Sequence, residues 1–490
     1  MSSNYLIGTR GSLLAVTQCT LIKNEIQANT NATFDLLKIK TQGDQITNKP
    51  LWQLEGKDFF TKELDEALLS KKIDLVVHSY KDLGSERPQG IKLGCITERK
   101  YPHDILLIKK DKIKNLKNMK ELIVGTSSPR RIVNIESSLN KYLPNKDINV
   151  KCETLRGNVN TRIEKLCNDQ YDAIVLALAG LERLANKEDS AKILNELVKD
   201  LTFMILPLKD FPASASQGAL AIEHHEENKE IEPILKTVHH DQTAQEIARE
   251  RKAFNSYGGG CHLAVGIHVK KVQDFFIHIH KGSVDEEKIF KRELEGHDYS
   301  SLKGKTLCEI KKTKNLIEKK PLSYDNDLTE NLFVTSSHCF HLTQKANSLW
   351  AAGNKTMQKL LAADQWVCGS AEGFGHEMIS NFKNSKAVQI LLKNNNWKVL
   401  SHDKAQSEIG EVIASYTHQV KEHYELPKEI LDADILYWSS FNEYLEYINH
   451  TPELKDKRHA CGLGKTYTQF KNNKINIIPC LDAKQLEENL

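Results

Sequence analysis

The sequence predicts an α/β protein, with mostly parallel sheets covered by helices, interrupted once by an α+β module. Three observations predict it. Short apolar runs alternate with amphipathic stretches from Tyr5 to Ala177. The same alternation returns after Leu332. Between them, residues 224–310 combine one long helical pattern, a glycine triplet at 258–260 and alternating strands.

In order, Tyr5-Leu6-Ile7 reads as a first strand, and Gly8-Thr9-Arg10-Gly11-Ser12 as the turn into a helix from Leu13. Residues 34–39 read as a strand, 60–69 as a helix with Leu64, Ala67 and Leu68 on one face, and 73–77 as a buried strand. The charged stretch 109–120 reads as the link to a second series. There, strands over 121–125, 148–155 and 173–177 alternate with helices opened by Ser128-Pro129 and Gly157-Asn158. A helix over 243–254 precedes the glycine triplet, and a strand over 275–280 follows it. Residues 311–326 are rich in lysine and polar side chains and read as a linker. Strands over 333–335, 367–369, 435–438 and 475–479 mark the last part.

At 490 residues, three or four domains are expected. A hydrophobic fraction of 40% with 27% charged residues excludes a disordered or collagen-like chain. Lysine and arginine total 68 against 65 aspartates and glutamates. So balanced a chain is not expected to bind nucleic acid, and any cationic site must be local. The ten cysteines form no Cys-x-x-Cys pair, which disfavours a zinc or dithiol site, and no metal is expected. The longest apolar run, 173–180, is too short to span a bilayer, and the N-terminus lacks a signal-peptide core. A soluble cytoplasmic protein without a membrane partner is the expectation.

Three strand-to-helix turns share one chemical design: Thr9-Arg10-Gly11-Ser12, Thr126-Ser127-Ser128-Pro129-Arg130-Arg131, and Leu155-Arg156-Gly157-Asn158 with Arg162 one turn on. Free N–H groups and the dipole at a helix start attract anions, and arginine adds a fork that fits carboxylate. Any one of these turns is also what an ordinary capped helix on a solvated face shows. Together they point to a shared site for an organic polyanion; no Walker motif suggests a nucleoside triphosphate. Asp82, after the apolar 76–77 run, falls at the same sheet edge, where a carboxylate can hold a developing positive charge or pass protons. It could equally start a turn or pair with Lys81, and His78 reads as structural. Cys261 follows Gly258-Gly259-Gly260, a poor place for core filler and a candidate covalent attachment point, although an inert thiol fits too. Residues 45–59 lie between a strand and a helix at this edge and could form a lid or a plain surface loop.

Taken together, the chain from residue 5 to about 310 resembles porphobilinogen deaminase, or hydroxymethylbilane synthase. The matching stretches are residues 8–15, 57–63, 76–82, 124–131, 155–162, 179–183, 217–219 and 259–261, in family order. The resemblance implies three domains: 1–100 with 200–222, 101–199, and 223–310, the first two similar to periplasmic binding proteins. It implies a dipyrromethane cofactor joined by a thioether to Cys261, and head-to-tail condensation of four porphobilinogen molecules with loss of ammonia. Asp82 matches the catalytic aspartate. Cofactor binding falls to Cys261, Lys81, Arg130, Arg131, Thr126, Ser127, Ser128 and Asp44. Substrate binding falls to Arg10, Ser12, Lys57, Phe60, Arg156, Arg162, Arg183 and Gln217. The chain departs from the family pattern at Asp58 and Ser216, each in place of glycine, at Leu83-Gly84 and at Gln242. A monomer acting on small molecules is expected.

After a linker at 311–330, residues 331–490 are similar to uroporphyrinogen III synthase, the enzyme that cyclises hydroxymethylbilane. The motifs are residues 334–337, 352–356, 368–372, 437–440 and 464–466, and Thr335, Ser336, Thr356, Ser439 and Thr466 are the hydroxyls they nominate. That family's first strand–helix unit is not evident before Leu332, nor is its tyrosine near residues 399–402; Tyr467 stands in place of a second threonine. The implied function is a deaminase fused to a synthase. The alternatives are a deaminase with a degenerate C-terminal module, or a non-catalytic anion-binding protein.

Overall fold

The computed structural model describes residues 4–41, 61–260 and 262–490. Asp44, Lys57, Asp58, Phe60, Cys261 and the 45–59 segment lie outside the described residues. Packing divides the chain into two compact units. One comprises Met1–Val269, His280–Phe290 and Ser385–Asn394, the other Lys270–Ile279, Lys291–Asn384 and Asn395–Leu490.

The first unit holds two five-stranded sheets of one topology. The chain lays down β1 (Asn4–Arg10), β2 (Thr33–Ile39), β3 (Leu75–Ser79) and β4 (Ile91–Ile96), then crosses over. It continues as β5 (Asp104–Lys109), β6 (Glu121–Gly125), β7 (Asn149–Glu153), β8 (Ala173–Ala177) and β9 (Leu201–Ile205), and returns as β10 (Leu220–His225). The sheet orders are β2-β1-β3-β10-β4 and β7-β6-β8-β5-β9. In the first sheet β1, β2 and β3 run parallel, and in the second β6, β7 and β8 do. The antiparallel strand of each, β10 or β5, is the one arriving directly from the other sheet. The first sheet is buried on both faces, by Ile7, Cys19, Ile22, Phe34 and Leu75 in one core and Leu64, Leu68, Ile73 and Val76 in another. Burial on both faces is why β3 reads as an unbroken apolar run.

Helices α1 (Leu13–Asn29), α2 (Lys62–Leu69), α3 (Pro129–Ser138), α4 (Val159–Cys167) and α5 (Leu178–Ala185) follow the strands, and α6 (Asp241–Ser256) precedes the glycine triplet. A third sheet runs β11 (Ala264–Val272), β12 (Phe275–Val284), β13 (Glu287–Glu295).

The structure corrects the expected boundaries. The second sheet extends to Ile205, because β9 pairs antiparallel with β5. The 109–120 stretch lies inside that sheet's region, between β5 and β6, and does not link the two sheets. The links are residues 97–103 and 206–219. An antiparallel strand that arrives by crossover has no preceding helix, so a strand–helix rhythm does not announce it.

The second unit holds a four-stranded sheet ordered β14-β21-β22-β23 and a six-stranded sheet ordered β15-β20-β19-β16-β17-β18. Their strands are β14 (Leu307–Glu309), β15 (Ile317–Pro321), β16 (Asn331–Val334), β17 (Ser348–Ala351), β18 (Val367–Ser370), β19 (Trp397–His402), β20 (Glu411–Val420), β21 (Ile435–Trp438), β22 (Arg458–Gly462) and β23 (Ile478–Cys480). The helices used below are α7 (Asn354–Ala362), α8 (His376–Asn384), α9 (Phe441–His450) and α10 (Lys465–Asn472).

The expected 311–330 linker is therefore wrong. β14 opens the four-stranded sheet parallel to β21, and β15 is the antiparallel edge of the other. Ile317-Glu-Lys-Lys-Pro321 reads as linker because its lysines and terminal proline are what guard an exposed sheet edge. Between β14 and β15 stands a three-residue helical turn, Ile310–Lys312. No helix among the described residues is long and apolar enough to cross a membrane.

Candidate active site

The predicted turns lie at the carboxyl ends of parallel strands. Arg10 ends β1, and Ser12 caps α1, its Oγ accepting from Ala15 N at 3.3 Å. Tyr80–Asp82 forms a short helical turn after β3, leaving Lys81 and Asp82 exposed. Arg156 follows β7, and Asn158 caps α4, its Oδ1 accepting from Thr161 N at 3.0 Å. Gly157 between them has φ +116°, and a Cβ there would stand 2.9 Å from Thr161 Cγ2, so the turn requires glycine. Arg183 lies on α5, which follows β8.

Electrostatics tie Lys81, Asp82, Arg131, Arg156, Arg162 and Arg183 into one cluster drawn from both sheets. The Asp82 carboxylate acts on Lys81, Arg162 and Arg183. Arg131 acts on Lys81 and Arg162, and Arg156 on Arg162. Lys81 is open at its surface yet surrounded by protein, as a side chain on a cleft floor is. Desolvation pushes its ammonium down to about 8, Asp82 opposing and Arg131 reinforcing. Desolvation likewise lowers Arg162 and Arg183 to about 10, against the pull of Asp82. Among the described residues the Arg156 guanidinium has no hydrogen-bond or ion-pair partner. Cations outnumber carboxylates here, a field suited to a polycarboxylate.

Not every nominated residue faces this cleft. Asp104, at the start of β5, is buried and accepts from Arg130 Nη1 at 2.7 Å, Arg131 Nη2 at 2.7 Å and Nε at 3.1 Å, and Gln217 Nε2 at 2.9 Å. Arg130 also donates to Pro212 O, and Arg131 to Val175 O. Burial alone would raise the Asp104 carboxyl; the two guanidiniums overcome this and hold it far below the usual range. Arg130, Arg131 and Gln217 are thus committed to an internal network that spans both crossovers, while Gln217 Oε1 accepts from Lys81 Nζ at 3.3 Å. Arg183 Nη2 donates to Gly218 O at 2.8 Å. Thr126 is buried, and Ser127 Oγ donates to Leu155 O at 2.7 Å, fastening the β6 turn to the β7 turn. Ser128 stands at the α3 cap position without a side-chain cap bond. Sequence reasoning missed Asp104; its signal is a lone acid opening the apolar run 105–108.

A second missed residue is Arg251 on α6. Its Nη1 donates to Tyr80 O (3.4 Å) and Leu83 O (3.2 Å), and its Nη2 to Gly84 O (2.8 Å). Its Cζ lies 4.6 Å from the Tyr80 ring centroid. The helix leading to Cys261 is thereby bolted to the turn that carries Asp82. Gly258, Gly259 and Gly260 all have positive φ, +94°, +62° and +88°, which explains the triplet. Ser216, where the family has glycine, sits at φ +67°.

Among the described residues one trio, Asp65, His78 and Glu223, could hold a metal ion. Arg87 Nη2 already lies 2.5 Å from Asp65 and 2.8 Å from Glu223, supplying that cation from the chain itself. His78 Nε2, 3.2 Å from Glu223, belongs to the same structural network.

In the second unit the nominated hydroxyls also lie at carboxyl edges. Thr335 and Ser336 follow β16, Thr356 lies in the first turn of α7, Ser439 follows β21, and Thr466 lies in the first turn of α10. Ser440, beside Ser439, caps α9 by accepting from Glu443 N, and Glu443 accepts from Ser439 N in return. Lys465 acts on both His376 and His402, so the edges of the two sheets face each other. Thr335 Oγ1 donates to Leu400 O at 2.9 Å and lies 3.5 Å from the Tyr416 phenol oxygen. Tyr416 is a residue at this edge that sequence reasoning did not single out. Its signal is the period-two pattern of Val412, Ala414, Tyr416 and His418.

Comparison with known proteins bears on the first unit. Residues 5–233 match the family model of porphobilinogen deaminase, dipyrromethane cofactor-binding domain. The porphobilinogen deaminase of Gloeobacter violaceus is 37% identical over 273 residues, 55% of this chain and 77% of that one. That of Bacillus subtilis is 34% identical over 333 residues, 67% of this chain and 99% of that one. That of Maridesulfovibrio salexigens is 40% identical over 261 residues, 53% and 78% of the two chains. Topology, cationic cleft and these relatives agree: the chain belongs to the porphobilinogen deaminase family.

Proposed function

We propose that the first unit joins porphobilinogen units head to tail on a dipyrromethane primer held by Cys261, with Asp82 as its catalytic residue. The observation that carries this reading is the convergence of Lys81, Arg162 and Arg183 on the Asp82 carboxylate, with Arg156 beside Arg162. The cofactor is the family's dipyrromethane, a polycarboxylate, and an excess of guanidiniums, with Arg156 unpartnered among the described residues, fits it. When bound, it would supply the free pyrrole carbon to which the first unit is joined, each later unit joining the one before it.

The chain's own residues do the rest. Arg156, Arg162 and Lys81 bind acetate and propionate groups and so orient the reacting pyrroles. Asp82 stabilises the positive charge that develops as ammonia departs, and its carboxylate oxygen can take and return a pyrrole proton. Exclusion of water by a bound polypyrrole would strengthen both effects. Arg130 and Arg131 act from behind, fixing the β5 and α3 starts through Asp104. Product analysis of the purified chain given porphobilinogen tests this: hydroxymethylbilane should form, and unconsumed substrate would count against it.

A second reading concerns the other unit. The hydroxyl set with Tyr416, between two facing carboxyl edges, supports a uroporphyrinogen III synthase-like module that cyclises the released tetrapyrrole. Because β14 and β15 belong to this unit, the test uses the full chain: an excess of type III over type I product supports the reading, and type I alone opposes it.

A further inference from the structure

Beside Tyr416, the carboxyl edge of the six-stranded sheet carries two histidines and a lysine that neither reading uses. His402 ends β19 and, after a one-residue register shift at Ser401, pairs with Tyr416 on β20. Lys319 on β15 lies opposite His418 on β20. His418 is two residues beyond Tyr416 and shares its face. Lys319, His418, Tyr416 and His402 therefore line one face across three adjacent strands. The His402 and His418 ring centroids are 5.1 Å apart, and Tyr416 lies 6.0 Å from the first and 5.4 Å from the second. Lys319 Nζ stands 5.0 Å from the Tyr416 ring centroid.

Charge around the pair is lopsided. Lys319, Lys404 and Lys465 act on His402, and Lys319 and Lys404 on His418; Asp403 is the one acid opposing them. Partial burial lowers both imidazoles first, and these lysines lower them further. Near neutral pH the pair is thus uncharged but surrounded by cations, a state that an arriving anion reverses. Among the described residues, Asp403 is the acid that acts on both imidazoles.

We propose that His402, His418 and Lys319 bind one carboxylate of an acidic tetrapyrrole, and that the imidazole pair takes up a proton as the ligand binds. The identity of the ligand rests on the synthase reading; the proton-linked binding does not. A carboxylate raises the imidazoles toward protonation, so affinity is highest below their ligand-free values. It falls with rising pH until the bound values are passed, by up to about tenfold per pH unit.

The test is calorimetric titration of the full chain with a stable porphyrin octacarboxylate, in two buffers of different ionisation enthalpy, at about pH 6 and about pH 8. The arginine-rich cleft also attracts this probe, so the readout is the difference between wild type and His402→Gln/His418→Gln. Wild type should take up more protons per ligand than the double variant and bind several-fold more tightly at the lower pH. Deaminase turnover should be equal in both. His418→Gln alone, at an exposed position, should show the same effect in part if the double variant fails to fold. Equal proton uptake and equal affinity in wild type and variants would overturn the proposal. Type III product from all of them would then leave the synthase reading standing. Wild type without type III product would sink that reading, while the calorimetry would still decide the site.

Discussion

The carboxylate of Asp104 takes Arg131 Nη2 and Nε at 2.7 and 3.1 Å, a two-point pairing inside the second sheet of the first unit. Arg130 shares the same carboxylate, so one buried acid holds two buried guanidiniums. Asp104→Asn should destabilise the protein by about 3–5 kcal/mol, because both arginines lose their counter-charge in place. Thermal unfolding checks this. The carboxyl is depressed in the folded state, so its stabilising effect is complete above the unfolded value, about 3.9, and is lost as pH falls below it. Wild type should therefore lose stability on acidification more steeply than Asp104→Asn.

Asp82→Ala should lower turnover by at least about 10²-fold while leaving the melting temperature within a degree or two, since the side chain is exposed. Steady-state kinetics beside thermal unfolding separates the two effects. Retained turnover would remove Asp82 from the mechanism.

Arg156 and Arg130 should respond in opposite ways. Arg156→Leu removes a cation without a partner among the described residues and should raise KM with little change in stability. Arg130→Leu breaks a buried ion pair and should be felt chiefly as lost stability.

Lys81 loses its charge near pH 8, a consequence of its enclosure. Apparent substrate affinity should weaken as pH rises through about 8, because a neutral amine no longer attracts carboxylate. Lys81→Arg keeps its charge and should flatten that part of the KM profile. An unchanged profile would show that another group sets it.

Arg251→Lys keeps the charge but cannot reach three carbonyls at once. It should lower kcat by roughly tenfold to 10²-fold through misplacement of the Asp82 turn. Rapid kinetics should show the loss in kcat more than in KM.

What could be read in the sequence was local. The arginine-bearing turns after β1, β6 and β7 are contiguous, so their placement at strand ends followed from the apolar runs before them. What could not be read was decided by partners far along the chain. Arg130 meets Asp104 only after β5 has crossed over and inserted beside β8, so a binding arginine and a structural one look alike in sequence. β15 was hidden because the charges that protect an edge strand imitate a linker. Arg251 was hidden because its partners are backbone carbonyls, which carry no sequence signature. Ser216 was visible as a departure, and the structure gives the reason glycine is usual there: φ is +67°.

Intact-mass spectrometry of the full chain, before and after addition of porphobilinogen, tests the central claim most directly. Wild type should carry a covalent pyrrole adduct that lengthens in single-pyrrole steps, Cys261→Ala should carry none, and Asp82→Ala should keep its primer without extending it. An unmodified wild-type mass together with untouched substrate would contradict the account.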